Sequence, residues 1–294
     1  MEEQYPIVLT SISAFISGGI ARMVVHPLDT IKAKLQVQQG NKSPEFLTIT
    51  QAFKTTLAKE GYKGLYKGLT FSAFGCLPAV CLYFTSYELS KKYLLEIPAF
   101  KNNNFLAYLT SGMIAEAISC MFFVPIDVIK ERLQVQSNLK EYNYANGRNA
   151  LKILLSKEGL RGIYRAYGAT VASFGPFSGL YFLFYEYSKH YFVGGHKEIS
   201  FFHSVLCAGF AGSLSAWITN PLDIAKVRMQ VVRAIGKSKF PYKNMFHGIY
   251  LIASEEGFRA LFQGSLARIL FHTPNTAISM SLVEFFRRLL SNDI

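Results

Sequence analysis

Three triplets of residues in this 294-residue sequence have the types and spacing for reversible ion pairing. Pro27, Asp29 and Lys32 recur as Pro125, Asp127 and Lys130, and again as Pro221, Asp223 and Lys226. They sit in the gapless phrases HPLDTIKAKLQVQ (26–38), VPIDVIKERLQVQ (124–136) and NPLDIAKVRMQVV (220–232), whose prolines are 98 and 96 residues apart. An acid and a base three residues apart share one helix face. A proline just before them removes a backbone donor and crowds the preceding turn, so it bends the helix. Three such helices, bent inward, let each aspartate reach a lysine of a neighbouring helix and close one end of a bundle with a ring of ion pairs. Gln36, Gln134 and Gln230, nine residues after each proline, are placed to hydrogen-bond that ring.

A second set of landmarks keeps the same step. Each phrase is followed by a Glu-Gly pair: Glu60-Gly61, Glu158-Gly159 and Glu256-Gly257. A proline comes 18 residues after each glutamate (Pro78, Pro176, Pro274) and another glutamate 10 residues after that (Glu88, Glu186, Glu284). A base stands three residues further on, at Lys91, Lys189 and Arg287, and a tyrosine, Tyr87 or Tyr185, precedes the acid in two of the three copies. These residues can form a ring at the opposite end. Desolvation offsets much of the Coulomb gain of such pairs, so each is modest in strength, which suits gates that have to open. Two closable rings at opposite ends of a bundle meet the requirement for alternating access.

The elements that carry these groups read as membrane helices. Half of the residues are apolar and 15% aromatic. Windows 5–27, 69–87, 104–126, 166–185, 201–222 and 269–283 hold no charge beyond Arg22 and Glu116. Their lengths predict six spans across a hydrocarbon core of about 30 Å. Gly, Pro, Ser and Thr within them predict that one face of each looks onto protein or water. Between the spans of each copy, TQAFKTTLAKEG, GRNALKILLSKEG and FHGIYLIASEEG predict short amphipathic helices lying along the membrane surface. The fold expected is all-α: six helices in a pseudo-threefold bundle, from repeats at 1–97, 98–195 and 196–294.

The net charge of +12 is gathered between the two spans of each copy, which favours anionic lipid over nucleic acid as the partner. Cys76, Cys81, Cys120 and Cys207 lie in apolar spans without metal spacing and read as buried thiols. MEEQYPIV has neither a signal-peptide charge pattern nor an Arg-rich transit pattern, so any targeting address is expected to be internal. No catalytic triad, metal cluster or phosphate loop stands out, and an enzyme is not expected.

In these motifs the chain resembles the mitochondrial carrier family over essentially its whole length. That family's signature is Pro-x-Asp/Glu-x-x-Lys/Arg, a spacer, Asp/Glu-Gly, four residues, then aromatic, base and Gly. The first copy fits throughout, ending in Tyr66-Lys67-Gly68. The second has Ala166 after Tyr164-Arg165, and the third has Gln263 between Phe262 and Gly264. The third copy also has Val283 where a tyrosine brace would precede Glu284. The resemblance implies a monomeric inner-mitochondrial-membrane carrier with both termini in the intermembrane space. Its Asp/Lys ring would face the matrix and its Glu/Lys ring the cytosolic side. No cofactor is implied, but bound cardiolipin is, at Lys67, Gly68, Arg165 and Gly264, where helix N-termini suit phosphate.

The same resemblance puts substrate contacts near mid-bundle. They are Gly75, Ser173 with Phe174, and Phe271 with His272, counted together with Arg268 and with Arg22 and Glu116 on odd-numbered helices. A mid-span carboxylate such as Glu116 is costly and marks a functional candidate, with a buried partner for a neighbouring base as the alternative. Within the family, AEAISCMFFVPIDVIKERLQ is similar to the third helix of S-adenosylmethionine carriers, and ARILFHTPNTAISMSLVEFFRRLL to the last helix of mitoferrins. Ser173-Phe174 replaces the Arg-Glu pair of the former, and Arg22 and Val80 replace two histidines of the latter. A small mixed-charge metabolite such as S-adenosylmethionine is the expected substrate. The rival readings are an iron carrier and a transport-inactive subunit of a larger inner-membrane complex.

Overall fold

The computed structural model describes residues 4–37, 48–101, 104–136, 144–193, 201–231 and 242–292, so the segments at 38–47, 137–143 and 232–241 lie outside the described residues. Among the described residues every regular element is a helix: α1 (Gln4–Val37), α2 (Ile49–Leu65), α3 (Leu69–Gly75), α4 (Leu77–Glu96), α5 (Pro98–Lys101), α6 (Asn104–Val135), α7 (Gly147–Ile163), α8 (Tyr167–Val193), α9 (Phe201–Ile218), α10 (Asn220–Val231), α11 (Met245–Glu255) and α12 (Ser265–Asn292). Among the described residues, Thr110–Val135 is the one helix long and apolar enough by length and composition to cross a membrane, and up to three spans qualify if each bent helix pair counts as one. Pro27 and Pro125 lie inside the unbroken helices α1 and α6. At the third copy the helix is interrupted between α9 and α10, just before Pro221.

The short helices α2, α7 and α11 begin alike. Thr48, Asn146 and Asn244 have extended backbones, and their side-chain oxygens accept from the amides of Gln51, Asn149 and His247 at 3.2, 2.9 and 2.8 Å. These caps satisfy helix-end donors that would otherwise lack partners. The glutamate of each Glu-Gly pair ends the regular helix. Gly61 and Gly159 adopt φ of 67° and 64° with ψ near −175° and −172°, a conformation essentially reserved for glycine.

The chain forms two compact units, and neither is a single stretch of sequence. The first comprises 1–66, 176–221 and 262–294. In it α12 packs on both α1 and α9, and α2 packs on α1. Its core joins Ile31 and Leu35 of α1, Ala52 and Leu65 of α2, and Ala267 of α12. The Thr30 hydroxyl donates to the Leu65 carbonyl at 2.8 Å. Small residues let α9 approach α12: a Cβ on Gly209 would lie 3.2 Å from Thr273, whose hydroxyl is 2.8 Å from that of Ser213.

The second unit comprises 67–175 and 222–261. Here α6 is the central helix, with α3, α4, α5 and α7 packed against it. Side chains from the first turns after α7 lock α6: the Tyr164 and Tyr167 hydroxyls donate to the carbonyls of Met121 and Ala117 at 2.7 and 2.6 Å. A Cβ on Gly75 would sit 3.1 Å from Ile126, so α3 and α6 are in tight contact there. Cys76, Cys120 and Cys207 are buried, whereas Cys81 is exposed on α4; all four are free thiols.

Candidate functional site

The second unit brings acids and bases of two sequence copies together. Lys226 Nζ of α10 lies 2.8 Å from Asp127 Oδ2 of α6, and Gln230 Nε2 donates to the same oxygen at 2.8 Å. The Lys226 and Asp127 side chains are only 11% and 8% exposed, so the pair is largely withdrawn from solvent screening. The Lys226 ammonium also lies 5.9 Å from the Phe123 ring centroid and 5.4 Å from that of Phe174, inside the range for cation–π attraction. The two rings meet edge to face at 5.9 Å. The Arg132 Nε donates to the Gln230 carbonyl at 3.0 Å, anchoring the end of α10 to α6.

Other members of the expected matrix-side ring are placed as follows. Asp29, Gln36, Gln134 and Asp223 are buried, Lys32 is partly buried, and Lys130 lies 3.4 Å from the neighbouring Glu131 carboxylate. At the other expected ring, Glu88 is paired along its own helix with Lys91 at 3.8 Å, and 69% of the Glu88 side chain is exposed. Lys91 also lies over the Tyr87 ring at 5.8 Å. Tyr87 stacks on Tyr83, and Tyr185 on Tyr181, each one helical turn earlier. Lys189 is partly buried, and the side chains of Glu186, Glu284 and Arg287 lie outside the described residues.

The mid-helix candidates divide by environment. Glu116 is half-buried on α6, accepts from the Cys120 thiol at 3.3 Å, and stands within electrostatic reach of Lys226 and Tyr83. Ser173 returns its hydroxyl to the Thr170 carbonyl at 2.9 Å, while Phe174 and Gly75 contact Phe123 and Ile126 as above. In the first unit, Arg268 is buried, donates to the Ala216 carbonyl at 2.9 Å, and stacks over Phe177 at 5.4 Å. That bond ties Arg268 to the carbonyl end of α9, where a cation is favoured. His272 rests between Phe177 and Phe271, at 5.0 and 5.2 Å. Arg22 is exposed on α1.

Gly68 and Gly264 adopt left-handed φ of 82° and 78° immediately before α3 and α12. Lys67 is partly buried beside the first of these, and the Arg165 side chain lies outside the described residues. Where Ala166 stands in the second copy, the chain enters α8 through a 3-10 turn with right-handed backbone instead. A cavity of about 520 Å³ in the first unit is lined by Thr48, Ile49 and Thr50 at the start of α2 and by Gln263, Gly264 and Ser265 at the start of α12. Two helix N-termini thus border one space, an arrangement that favours an anion.

The structure adds one buried ion pair per copy that the motif reading passed over. Lys34 pairs with Glu60 and also donates to the Thr56 hydroxyl at 3.2 Å. Arg132 grips both oxygens of Glu158, the second at 3.0 Å, and Arg228 does the same with Glu256 at 2.6 and 3.0 Å. Bidentate charge-assisted bonds of this kind are strong and directional. Tyr144 and Tyr242, buried and 98 positions apart, stand within electrostatic reach of the two arginines. Burial raises the Tyr242 hydroxyl above the usual tyrosine range, against the opposing pull of Arg228. The signal was present in sequence: a base stands seven residues after each proline, and an unassigned glutamate precedes each glycine.

Known proteins place this architecture. The description "Mitochondrial carrier protein" matches residues 3–98, 101–196 and 197–294. The chain is 33% identical over 287 residues to mitochondrial substrate carrier family protein E of Dictyostelium discoideum, covering 94% of each chain. It is 32% identical to the S-adenosylmethionine mitochondrial carrier protein homolog of Drosophila melanogaster, over 94% of this chain and 92% of the relative. It is 26% identical to Mitoferrin-1 of Danio rerio, over 94% of this chain and 83% of the relative. With three matched repeats, an all-helical fold and full-length relatives above 30% identity, the chain belongs to the mitochondrial carrier protein family, whose members are transporters and not enzymes.

Proposed function

We propose that this carrier moves a small mixed-charge metabolite, S-adenosylmethionine first among candidates, across the mitochondrial inner membrane by alternating access. The observation that carries the reading is the Asp127–Lys226 pair. It is an interhelical bond between two sequence copies, held beneath two aromatic rings and within reach of the mid-helix carboxylate of Glu116. Glu116 and the phenylalanine faces suit the positively charged end of such a substrate. The contrast between this buried bond and the exposed Glu88–Lys91 pair along one helix supports a conformation latched at its matrix end. The S-adenosylmethionine carrier homolog among the relatives points to the same substrate class.

The termini then lie in the intermembrane space, and the carrier works as a monomer with anionic lipid, cardiolipin above all, at the helix N-termini around Gly68 and Gly264. Uptake into proteoliposomes tests this with labelled S-adenosylmethionine, nucleotides, amino acids, keto acids and ferrous iron. Saturable uptake of S-adenosylmethionine is expected. Saturable uptake of another compound reassigns the substrate. A folded, lipid-stabilised protein that moves none of them overturns transport and favours an accessory role in a larger complex.

A further inference from the structure

Immediately after each Glu-Gly pair the chain presents an apolar residue followed by a base: Tyr62-Lys63, Leu160-Arg161 and Phe258-Arg259, each pair 98 positions from the next. The three large side chains are among the more exposed large apolar groups of the described residues, at 67%, 65% and 70%. Lys63, Arg161 and Arg259 are exposed too, and among the described residues their side chains form no ion pair. The acid nearest in sequence is withheld from each of them, because Glu60, Glu158 and Glu256 are committed to Lys34, Arg132 and Arg228.

Local geometry accounts for the presentation. The ion pair pins the glutamate, and the next glycine takes a positive φ of 67°, 64° or 88°, so the helix stripe is broken and the following residue is turned outward. In the first two copies the chain then wraps closely over the acid: a Cβ on Gly64 or Gly162 would overlap the side chain of Glu60 or Glu158. The third copy has Ala260 at the equivalent position, and there the turn is a 3-10 helix, Phe258–Phe262, yet Phe258 and Arg259 remain exposed. Two different backbone solutions therefore preserve the same outward pair. A fold that only needed a helix stop would not require a large apolar side chain there.

We infer that these three turns are interfacial anchors that dock each short surface helix on an anionic phospholipid layer. The apolar side chain enters the boundary between headgroups and acyl chains, and the adjacent unpaired base engages lipid phosphate. These positions are distinct from the glycine-led N-termini discussed for cardiolipin. The inference rests on membrane placement of the chain and not on its substrate.

Trp217 of α9, the single tryptophan and itself exposed, supplies an internal control. In a Trp217→Phe background, Tyr62→Trp, Leu160→Trp and Phe258→Trp are made singly and reconstituted into vesicles with acyl-brominated phosphatidylcholine, with or without phosphatidylglycerol. Blue-shifted emission, loss of most intensity to the brominated chains, and deeper quenching with phosphatidylglycerol are expected at all three positions. That added quenching should vanish when Lys63, Arg161 and Arg259 are all changed to Gln. Water-like emission at these positions, while Trp217 of the unaltered protein is quenched, overturns the anchors and leaves membrane placement standing. Equal response to phosphatidylglycerol with and without the three bases overturns their role toward anionic lipid. An unquenched Trp217 overturns the placement itself, and the anchors with it.

Discussion

Lys226 joins α10 to α6 through Asp127 at 2.8 Å, while its ammonium faces two phenylalanine rings and its carboxylate partner takes a second bond from Gln230. Removing one partner of a largely buried pair leaves the other uncompensated, which costs about 3–5 kcal/mol. Asp127→Asn and Lys226→Gln are each expected to lower the thermal stability of the detergent-solubilised carrier. The double substitution should fall short of their sum by about 1–3 kcal/mol. Purely additive losses in the double-mutant cycle would show that the two residues act independently.

The Glu-Gly acids are expected to matter for folding more than for transport. Glu256→Gln leaves Arg228 buried without its bidentate partner and should cost about 3 kcal/mol, and Glu158→Gln the same against Arg132. The adjacent exposed Glu255 is the control, and Glu255→Gln should stay within about 0.5 kcal/mol of the parent. Denaturation of the three variants side by side decides it, and equal stabilities would refute a structural role for these pairs.

How much of this was legible depends on whether a feature repeats. The Pro-Asp-Lys phrases and the Glu-Gly landmarks recur in register, so three all-helical repeats and a pairing of Asp127 with a lysine of a neighbouring helix could be read from spacing, and the carrier family from the resemblance of its signature. The Lys34, Arg132 and Arg228 pairs recur just as regularly. They were passed over because a base on the far side of a helix looks solvated until the short helix folds back over it. Single-copy features were harder to place. Arg268 and His272 occur once each among the expected substrate contacts; the structure engages the first with the Ala216 carbonyl and sets the second against phenylalanine rings, and no spacing rule distinguishes a bundle role from a cavity-facing one. The break before Pro221, absent at Pro27 and Pro125, likewise depends on packing around one copy.

The two glycine-led helix starts make a lipid prediction. Gly264 has a φ of +78°, and a Cβ there would lie 3.0 Å from Gln36, so Gly264→Ala should cost about 1–3 kcal/mol of stability. It should also shrink the rise in melting temperature that added cardiolipin gives the delipidated parent, because the cavity between the starts of α2 and α12 is altered. Ala166→Gly, in a helical turn of right-handed backbone, should cost about 0.5–1 kcal/mol and leave that lipid response unchanged. A full cardiolipin response in Gly264→Ala would move the lipid site elsewhere.

Glu116 separates function from architecture most directly. It is half-buried, and the Cys120 thiol donates to it at 3.3 Å, so a structural role predicts loss of stability when the charge is removed. Glu116→Gln keeps the side chain's size and an acceptor for that thiol while abolishing the charge. If the carboxylate serves the cationic end of a substrate, the melting temperature should hold or rise, since a neutral amide is cheaper to bury than a carboxylate. Uptake of S-adenosylmethionine should then fall by about 10–100-fold, the loss of a charge-assisted contact worth about 1.5–3 kcal/mol. Cys120→Ser, which retains a donor to Glu116, should transport nearly as well as the parent. Parallel loss of stability and uptake in Glu116→Gln would make the residue a packing element. Stable protein with unimpaired uptake would remove it from the substrate path altogether, leaving Phe123 and Phe174 as the groups to test next.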